Sequence, residues 1–306
     1  MEIIRDLSRY KSSQFMVISL GMFDGVHCGH NAIINALNKV SEEKNYASGI
    51  FSFWPHPRKI LNPEFQLQLL TNLEEKKNIL AKKNIDFLFL QKFNDDFKNL
   101  EAEEFVKKIL VDKLKMKYIL VGHDHRFGKN QKGDFALLKK MGKELDFEVQ
   151  QLEAINLGQE NISSTKIRKA LLEGNILKAN KMLGYHYSIS GRVIDGNKIG
   201  RTIGYPTANI SVEEGKLLPK KGAYIVEVWL KNKLYKGMLS IGTNPTVGGE
   251  KLSVEVYILD FNEDIYGEPL TLKFRDFLHE EIKFESLEKL IERLDEDKKL
   301  TEKFQF

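Results

Sequence analysis

An apolar run, Phe15-Met16-Val17-Ile18-Ser19-Leu20, leads directly into Gly21-Met22-Phe23-Asp24-Gly25-Val26-His27-Cys28-Gly29-His30. Beyond it, Ile33, Ile34, Leu37 and Val40 recur at helical spacing on one face. A buried strand, a glycine-rich turn and a helix therefore follow one another without slack. In open α/β sheets, ligands sit outside the carboxyl ends of strands, at turns of this kind. A helix N-terminus adds unpaired N–H groups that favour anions. His27 and His30, three residues apart at this point, suggest charge handling on a phosphate.

The first half continues in the same manner. Ile50–Phe53, Phe87–Leu90 and Tyr118–Val121 read as strands, and Phe147–Leu152 as a less buried one. Leu73 to Lys83, Ala102 to Leu114 and Phe135 to Leu145 read as helices between them. This alternation predicts a doubly wound parallel sheet. At 306 residues the chain can hold two domains, each with its own core. A net charge of +4 favours small anionic substrates over nucleic acid, which asks for a concentrated basic face. One cysteine, Cys28, rules out an internal disulfide and fits a reducing compartment. The first residues lack the apolar core of a secretion signal, and no run is long enough to span a bilayer. A soluble cytoplasmic protein is expected, without membrane or nucleic-acid partners, as a monomer or weak oligomer.

Polar residues gather after other strands too. Trp54-Pro55-His56-Pro57-Arg58 is stiffened by prolines on both sides of His56. Gly122-His123-Asp124-His125-Arg126-Phe127-Gly128 is basic and glycine-bounded. Loops collect such residues anyway, but three at one sheet edge argue for a shared site. Ile162-Ser163-Ser164-Thr165-Lys166-Ile167-Arg168 starts a helix, with Ser163 or Ser164 as its cap. Lys166 and Arg168 lie in its first turn, where the dipole disfavours cations by only about 0.3–1 kcal/mol. An anion bound there reverses that sign. A metal site built on His27, His30, His123 and His125 is a rival, although no His-Glu-x-x-His pattern is present. A Cys28 nucleophile is weaker, since its histidine neighbours in sequence point away on a tight turn.

Near residue 184 the pattern changes. After a short helix, Ile176 to Met182, come strand-like runs at Tyr187–Val193, Ala223–Leu230, Leu234–Ile241, Leu252–Asp260 and Leu270–Phe274. Turn residues between them predict a small antiparallel β-barrel. A last amphipathic helix with Leu287, Leu290, Ile291 and Leu294 is expected to cover one barrel opening. Between residues 191 and 209, Gly191, Gly196, Gly200 and Gly204 suggest a flexible arch, either a plain turn or a phosphate cover. Thr207 and Asn209 share a face if extended, and offer neutral oxygens suited to Mg²⁺. Val254, Val256 and Ile258 face one way and Glu255 the other. Glu255 is then either a solvated glutamate or, if its face lines the barrel mouth, a proton acceptor for a substrate hydroxyl.

Gly21-x-Phe23-Asp24-Gly25-x-His27-x-Gly29-His30 with Ser163-Ser164-Thr165-x-Ile167-Arg168 resembles the HxGH nucleotidyltransferases. With Pro55-His56-Pro57 and Arg126-Phe127-Gly128, it resembles the adenylyltransferase module of bacterial bifunctional riboflavin kinase/FAD synthetases. Gly200-Arg201-x-x-Gly204-x-Pro206-Thr207-Ala208-Asn209, Gly222-Ala223-Tyr224, Ile241 to Thr246 and Val254 to Phe261 resemble the riboflavin kinase domain of the same family, in that family's order. The resemblance implies an adenylyltransferase domain at 1–183 and a kinase domain at 184–306. Riboflavin would be phosphorylated by Mg-ATP, and the resulting FMN would attack the α-phosphate of a second ATP to give FAD. His27, His30 and Glu255 would be catalytic. Gly21, Phe23, Asp24, Gly29, Ser163, Ser164, Thr165 and Arg168 would bind nucleotide in the first domain. Gly191, Gly200, Arg201, Gly204, Thr207 and Asn209 would do so in the second, Thr207 and Asn209 also holding the metal. His56, Asp124, Arg126 and Phe127 would meet the flavin. The chain departs from many members at His125 and His279. The alternative is an adenylyltransferase whose β-domain only binds flavin.

Overall fold

The computed structural model describes every residue except 63, 65, 66, 159, 197, 198, 247, 248 and 306, and gives 199, 244–246 and 249–251 as backbone only. Part of the 191–209 glycine stretch and of the Ile241–Thr246 motif therefore lies outside the described side chains. The chain divides into two compact units, Met1–Ser163 and Ser164–Phe306.

The first unit is built on β1 (Glu2–Ile4), β2 (Met16–Leu20), β3 (Ala47–Phe53), β4 (Phe87–Gln91), β5 (Met116–Gly122) and β6 (Glu148–Leu152). They form one sheet in the order β1-β4-β3-β2-β5-β6, every pair parallel. From β2 the chain proceeds outward through β3 and β4, then returns to lay β5 and β6 on the other side. The direction reverses between β2 and β5, which is where such sheets open a crevice at their carboxyl ends. β2 is buried along its whole length, as a central strand covered on both faces must be. Val17 and Leu120 pack under α1 (Cys28–Lys44) through Leu37 and Val40. On the other face Ile18, Phe51, Phe89 and Ile119 meet Phe105, Leu110 and Leu138.

Further helices are α2 (Pro57–Leu61), α3 (Leu73–Ala81), α4 (Asp95–Lys98), α5 (Ala102–Glu104) and α6 (Phe135–Leu145). The single helix expected over 102–114 is instead α5 running into a π-helical stretch, Phe105–Val111. The wider turn brings Phe105, Val106 and Leu110 into the core together. β1 escaped the sequence reading because three half-exposed residues carry no period. A two-residue ladder, β7 (Asn156–Leu157) with β8 (Glu160–Asn161), precedes Ser163.

The second unit is a closed barrel of β9 (Ser188–Ile194), β10 (Thr207–Val212), β11 (Gly222–Leu230), β12 (Lys233–Thr246), β13 (Gly249–Ile258) and β14 (Pro269–His279). The order is β10-β13-β12-β11-β14-β9, and β9 pairs with β10 to close it. Val226, Val228, Leu239, Val254, Val256 and Phe274 fill the interior. β10 was not expected as a strand, yet it supplies closure. The 191–209 stretch is therefore not a free arch: Gly191 lies inside β9, and a one-turn helix, α9 (Ile199–Thr202), interrupts it. A Cβ on Gly191 would stand 2.2 Å from the Ser211 carbonyl, so close strand approach accounts for this glycine.

Helices α7 (Ser164–Leu172) and α8 (Ile176–Leu183) pack with the barrel. Asn180 donates to the Phe274 carbonyl and accepts from Tyr187 N–H, and Lys220 N–H reaches the Leu171 carbonyl. The C-terminal helix α10 (Leu287–Lys303) does not cap an opening. Leu294 packs with Tyr205, Met238 and Tyr257, and Met238 and Tyr257 are cross-strand partners on the outer wall. Its most buried residues are Asp297 and Thr301, while Leu287 is exposed. His279 at the end of β14 is 2.8 Å from the Asp297 carboxylate, and Arg293 is 2.9 Å from the other oxygen. The His279–Asp297 hydrogen bond therefore joins Leu294 in holding the helix to the wall.

Candidate active sites

The loops after β2, β3 and β5 leave one sheet edge side by side, because those strands are neighbours and parallel. In the first loop, Phe23 and Val26 take left-handed backbone angles, φ 49° and 36°. For a β-branched residue that conformation is an outlier. Buried Asp24 holds it in place: its carboxylate accepts from Leu70 N–H at 3.1 Å, Thr71 N–H at 3.0 Å and the Thr71 hydroxyl at 3.3 Å. Thr71 Oγ1 in turn accepts from Gly25 N–H.

His27 is the N-cap of α1, its Nδ1 accepting from His30 N–H at 3.3 Å. The two imidazoles stack with centroids 3.7 Å apart, and Phe23 lies 4.9 Å from the His30 ring. Gly29 makes room for the stack, since a Cβ there would stand 3.1 Å from the His27 ring. Burial, reinforced by His27 and Lys76, holds His30 well below the usual histidine range. Among the described residues its Nδ1, shut off from solvent, has no hydrogen-bond partner. Two stacked rings at a helix N-terminus, that of His30 held neutral by burial, form a site suited to negative charge. The Ile162 carbonyl lies 3.9 Å from that same Gly29 Cβ position, so the chain ahead of Ser163 passes the first turn of α1.

The neighbouring loops are more committed to structure than their sequence suggested. His56 caps α2, accepting from Arg58 N–H at 3.1 Å. Arg126 pairs with Asp134, the N-cap of α6, at 2.9 Å. Phe127 belongs to the core beside Phe105, with its ring packed where a Gly133 Cβ would stand. In this structure its ring is buried, with little surface left exposed. Asp124 is exposed, and His125 stacks on Phe127 with its Nε2 shut off from solvent and without a partner among the described residues. Burial pushes His125 down to about 4.

On the barrel, register does what sequence spacing only suggested. Asn209 lies directly opposite Glu255, and Thr207 opposite Tyr257, across the β10–β13 pair. Opposed residues share a face, and the Thr207 hydroxyl donates to Glu255 Oε2 at 3.2 Å. Ser240 of β12 stands on the other side of Glu255. Val254 and Val256 point inward, so this cluster is on the outer wall and not in the barrel mouth. Asn209 packs against Gly196, where any Cβ would stand 2.0 Å from its Nδ2. In α9, Gly200 is required because a Cβ would stand 2.1 Å from the Tyr205 carbonyl, and Gly204 has φ +82°. Arg201 lies over Tyr266 and donates to its hydroxyl at 3.2 Å.

Comparison with known proteins decides between the readings. The FAD synthetase family profile matches residues 10–166 and the riboflavin kinase profile residues 183–305. A bifunctional riboflavin kinase/FMN adenylyltransferase of Listeria monocytogenes is 40% identical over 94% of this chain and 92% of its own. The Escherichia coli K12 protein of the same name is 36% identical over 99% and 98%. The chain belongs to the bifunctional riboflavin kinase/FMN adenylyltransferase family. A solved structure from Streptococcus pneumoniae, described as a macrolide-efflux protein, is 32% identical with a TM-score of 0.90 over 99% of both chains. Among the described residues of this chain, no helix is long and apolar enough to cross a membrane.

Both modules of the family are thus present, and the binding-only alternative for the β-domain gives way to a kinase. Nor do the described residues contain a group of three or more His, Cys, Asp or Glu placed to hold a metal ion. The structure brings His27, His30, Gly21, Phe23 and Gly29 into one turn, and Thr207, Asn209 and Glu255 onto one wall. Ser164, Thr165 and Arg168 occupy the first two turns of α7. Sequence reasoning missed Lys76. In the first turn of α3, behind an Asn72/Glu75 capping box, it is only 2% exposed. Its Nζ donates to the Met22 carbonyl at 3.1 Å and lies 5.3 Å from the Trp54 ring centroid.

Proposed function

We propose that this riboflavin kinase and FMN adenylyltransferase divides its work between the turn at His27–His30 and the wall at Glu255. ATP serves both steps, and riboflavin, FMN and FAD are substrates and products. In the first module an FMN phosphate oxygen attacks the α-phosphorus of ATP, and pyrophosphate leaves. His27 and His30 stabilise the charge that moves across the phosphates, assisted by the N–H groups opening α1. Ser163, Ser164, Thr165 and Arg168 keep the phosphate-holding role the resemblance implies. No covalent intermediate is needed; positioning and electrostatics supply the rate. Asp24 braces the turn beside the nucleotide, and His56, Asp124, Arg126 and Phe127 keep the flavin contacts the resemblance implies, with Asp124 exposed among them. The functional divide is read at residues 183/184, with α7 and α8 serving the first module while packing on the second unit.

In the kinase module Glu255 accepts the proton of the riboflavin 5′-hydroxyl as that oxygen attacks the γ-phosphate of ATP. Because the Thr207 hydroxyl donates its proton to Glu255, its lone pairs remain to face a cation. Thr207, Asn209 and Glu255 make an all-oxygen donor set that fits Mg²⁺ retaining several waters. When bound, that ion neutralises phosphate charge. The modest charge of +4 and the single cysteine support a cytoplasmic monomer or weak oligomer acting on small molecules, without nucleic acid. The observation that carries the reading is the convergence of Thr207, Asn209 and Glu255 on one wall, separate in sequence and chemistry from His30. Its test is a pair of variants assayed from riboflavin plus ATP by product chromatography. His30→Ala should accumulate FMN without FAD, and Glu255→Gln should convert supplied FMN to FAD without making FMN. Loss of both activities from either folded variant would overturn the division.

A further inference from the structure

Lys76 has no part in the chemistry above, yet the fold keeps it at considerable cost. It is buried, where a cation loses its hydration. It also lies in the first turn of a helix, the end whose dipole disfavours positive charge. Burial pushes it down to about 8, with Asp24 acting in the opposite direction. A buried methionine of similar length would avoid these penalties, so packing alone does not account for a lysine.

Its contacts do. Met22 belongs to the turn that carries Asp24, His27 and His30, and Trp54 opens the loop that carries His56. These two loops leave neighbouring strands, β2 and β3, at the same edge. Nζ donates to the carbonyl of the first and lies over the ring of the second, an arrangement that suits an ammonium group. The remaining two N–H donors make no hydrogen bond to the described residues. The charged and titratable groups facing it are Asp24 from the turn and His30 from α1, with His27 stacked beyond.

We propose that Lys76 is a positioning residue for adenylyl transfer, fixing the nucleotide turn against the flavin loop and bringing a positive charge to the turn that carries His30. The inference rests on the reading of His30 given above. Through the first contact, Lys76 sets the distance between two substrate-binding loops. Through its charge, it adds to the burial and the neighbouring His27 that hold His30 below the usual histidine range. A displacement of about 1 Å in such a site costs on the order of a hundredfold in rate.

The test uses the full chain with Lys76→Met, Lys76→Arg and Lys76→Gln, and His30→Ala alongside. FAD formation from FMN and ATP is read against FMN formation from riboflavin and ATP in the same sample. The His30 titration is followed by imidazole NMR, assigned with a His30→Gln sample. Lys76→Met should lower kcat for FAD formation by about ten- to a hundredfold, leave FMN formation unchanged, and raise the His30 midpoint. Lys76→Arg should return the midpoint toward its original value, because the charge is kept. If Lys76→Met fails to fold, Lys76→Gln, which keeps a donor but no charge, must raise the midpoint. Undiminished FAD formation in Lys76→Met, or a loss of rate with the His30 midpoint unmoved, overturns the inference. Should His30→Ala itself retain FAD formation, the underlying site reading fails instead, and the two failures are distinguishable.

Discussion

The two modules meet the same co-substrate with opposite materials. At the sheet edge, the groups proposed to handle phosphate are two imidazoles stacked 3.7 Å apart, His30 kept neutral by its burial. On the barrel they are oxygens on an outer wall, a hydroxyl, an amide and a carboxylate aligned by strand register. The reactions ask for this difference. Adenylyl transfer begins from an FMN phosphate already charged at neutral pH, so it requires charge stabilisation and no base. Phosphorylation of riboflavin begins from a neutral alcohol, so it requires a proton acceptor and a counter-ion. A buried neutral site can strengthen electrostatics, whereas a carboxylate does its work where water still solvates it.

Four experiments sharpen that contrast. The largest effect belongs to Glu255→Gln, which should lower FMN formation by about 10²–10⁴, the usual worth of a general base, with FAD formation from supplied FMN intact. His30→Ala comes next: about 10²–10³ lost from FAD formation, as for one charge-stabilising donor, with normal FMN formation. Equal sensitivity of both activities to either change would erase the distinction. Asp24→Ala should destabilise the first unit by about 1.5–3 kcal/mol through its bonds to Leu70 and Thr71, read as a lower denaturant midpoint. FAD formation should fall with it, because the turn loses its brace.

The smallest effect is a pH dependence. His125 titrates near 6.5 in the unfolded chain and near 4 when folded. Between those values the unfolded chain binds a proton that the folded one refuses, so stability is full above about 6.5 and falls as pH drops toward 4. His125→Phe should flatten the decline in Tm between pH 6.5 and 4. An unchanged slope would mean that the imidazole is not sealed as described.

Much of this was legible in the chain, for identifiable reasons. The strand–turn–helix at residues 15–40 declares itself because strand and helix periods meet at a glycine-rich turn, and Glu255 because its neighbours alternate. Lys76 was invisible: in Leu73-Glu74-Glu75-Lys76-Lys77 alternating charges look like a solvated helix face, and only tertiary packing turns one lysine inward. The structural ties of Phe127 and Arg126 were equally hidden, since their places in the core and against Asp134 are set by tertiary packing. β10 was missed because its short run, with polar residues outward, carries few apolar positions. The burial of Asp297 in α10 depends on a partner, His279, eighteen residues away, which no local pattern encodes.

The left-handed residues Phe23 and Val26 give the first site a mechanical character. Each such angle costs on the order of 1–3 kcal/mol unless its surroundings enforce it, and here Asp24 does so through segment 70–71. The turn thus behaves as a sprung catch: it has one seat, and leaving that seat loosens a buried carboxylate. The two histidines are therefore set in register by the fold itself, before any ligand is present.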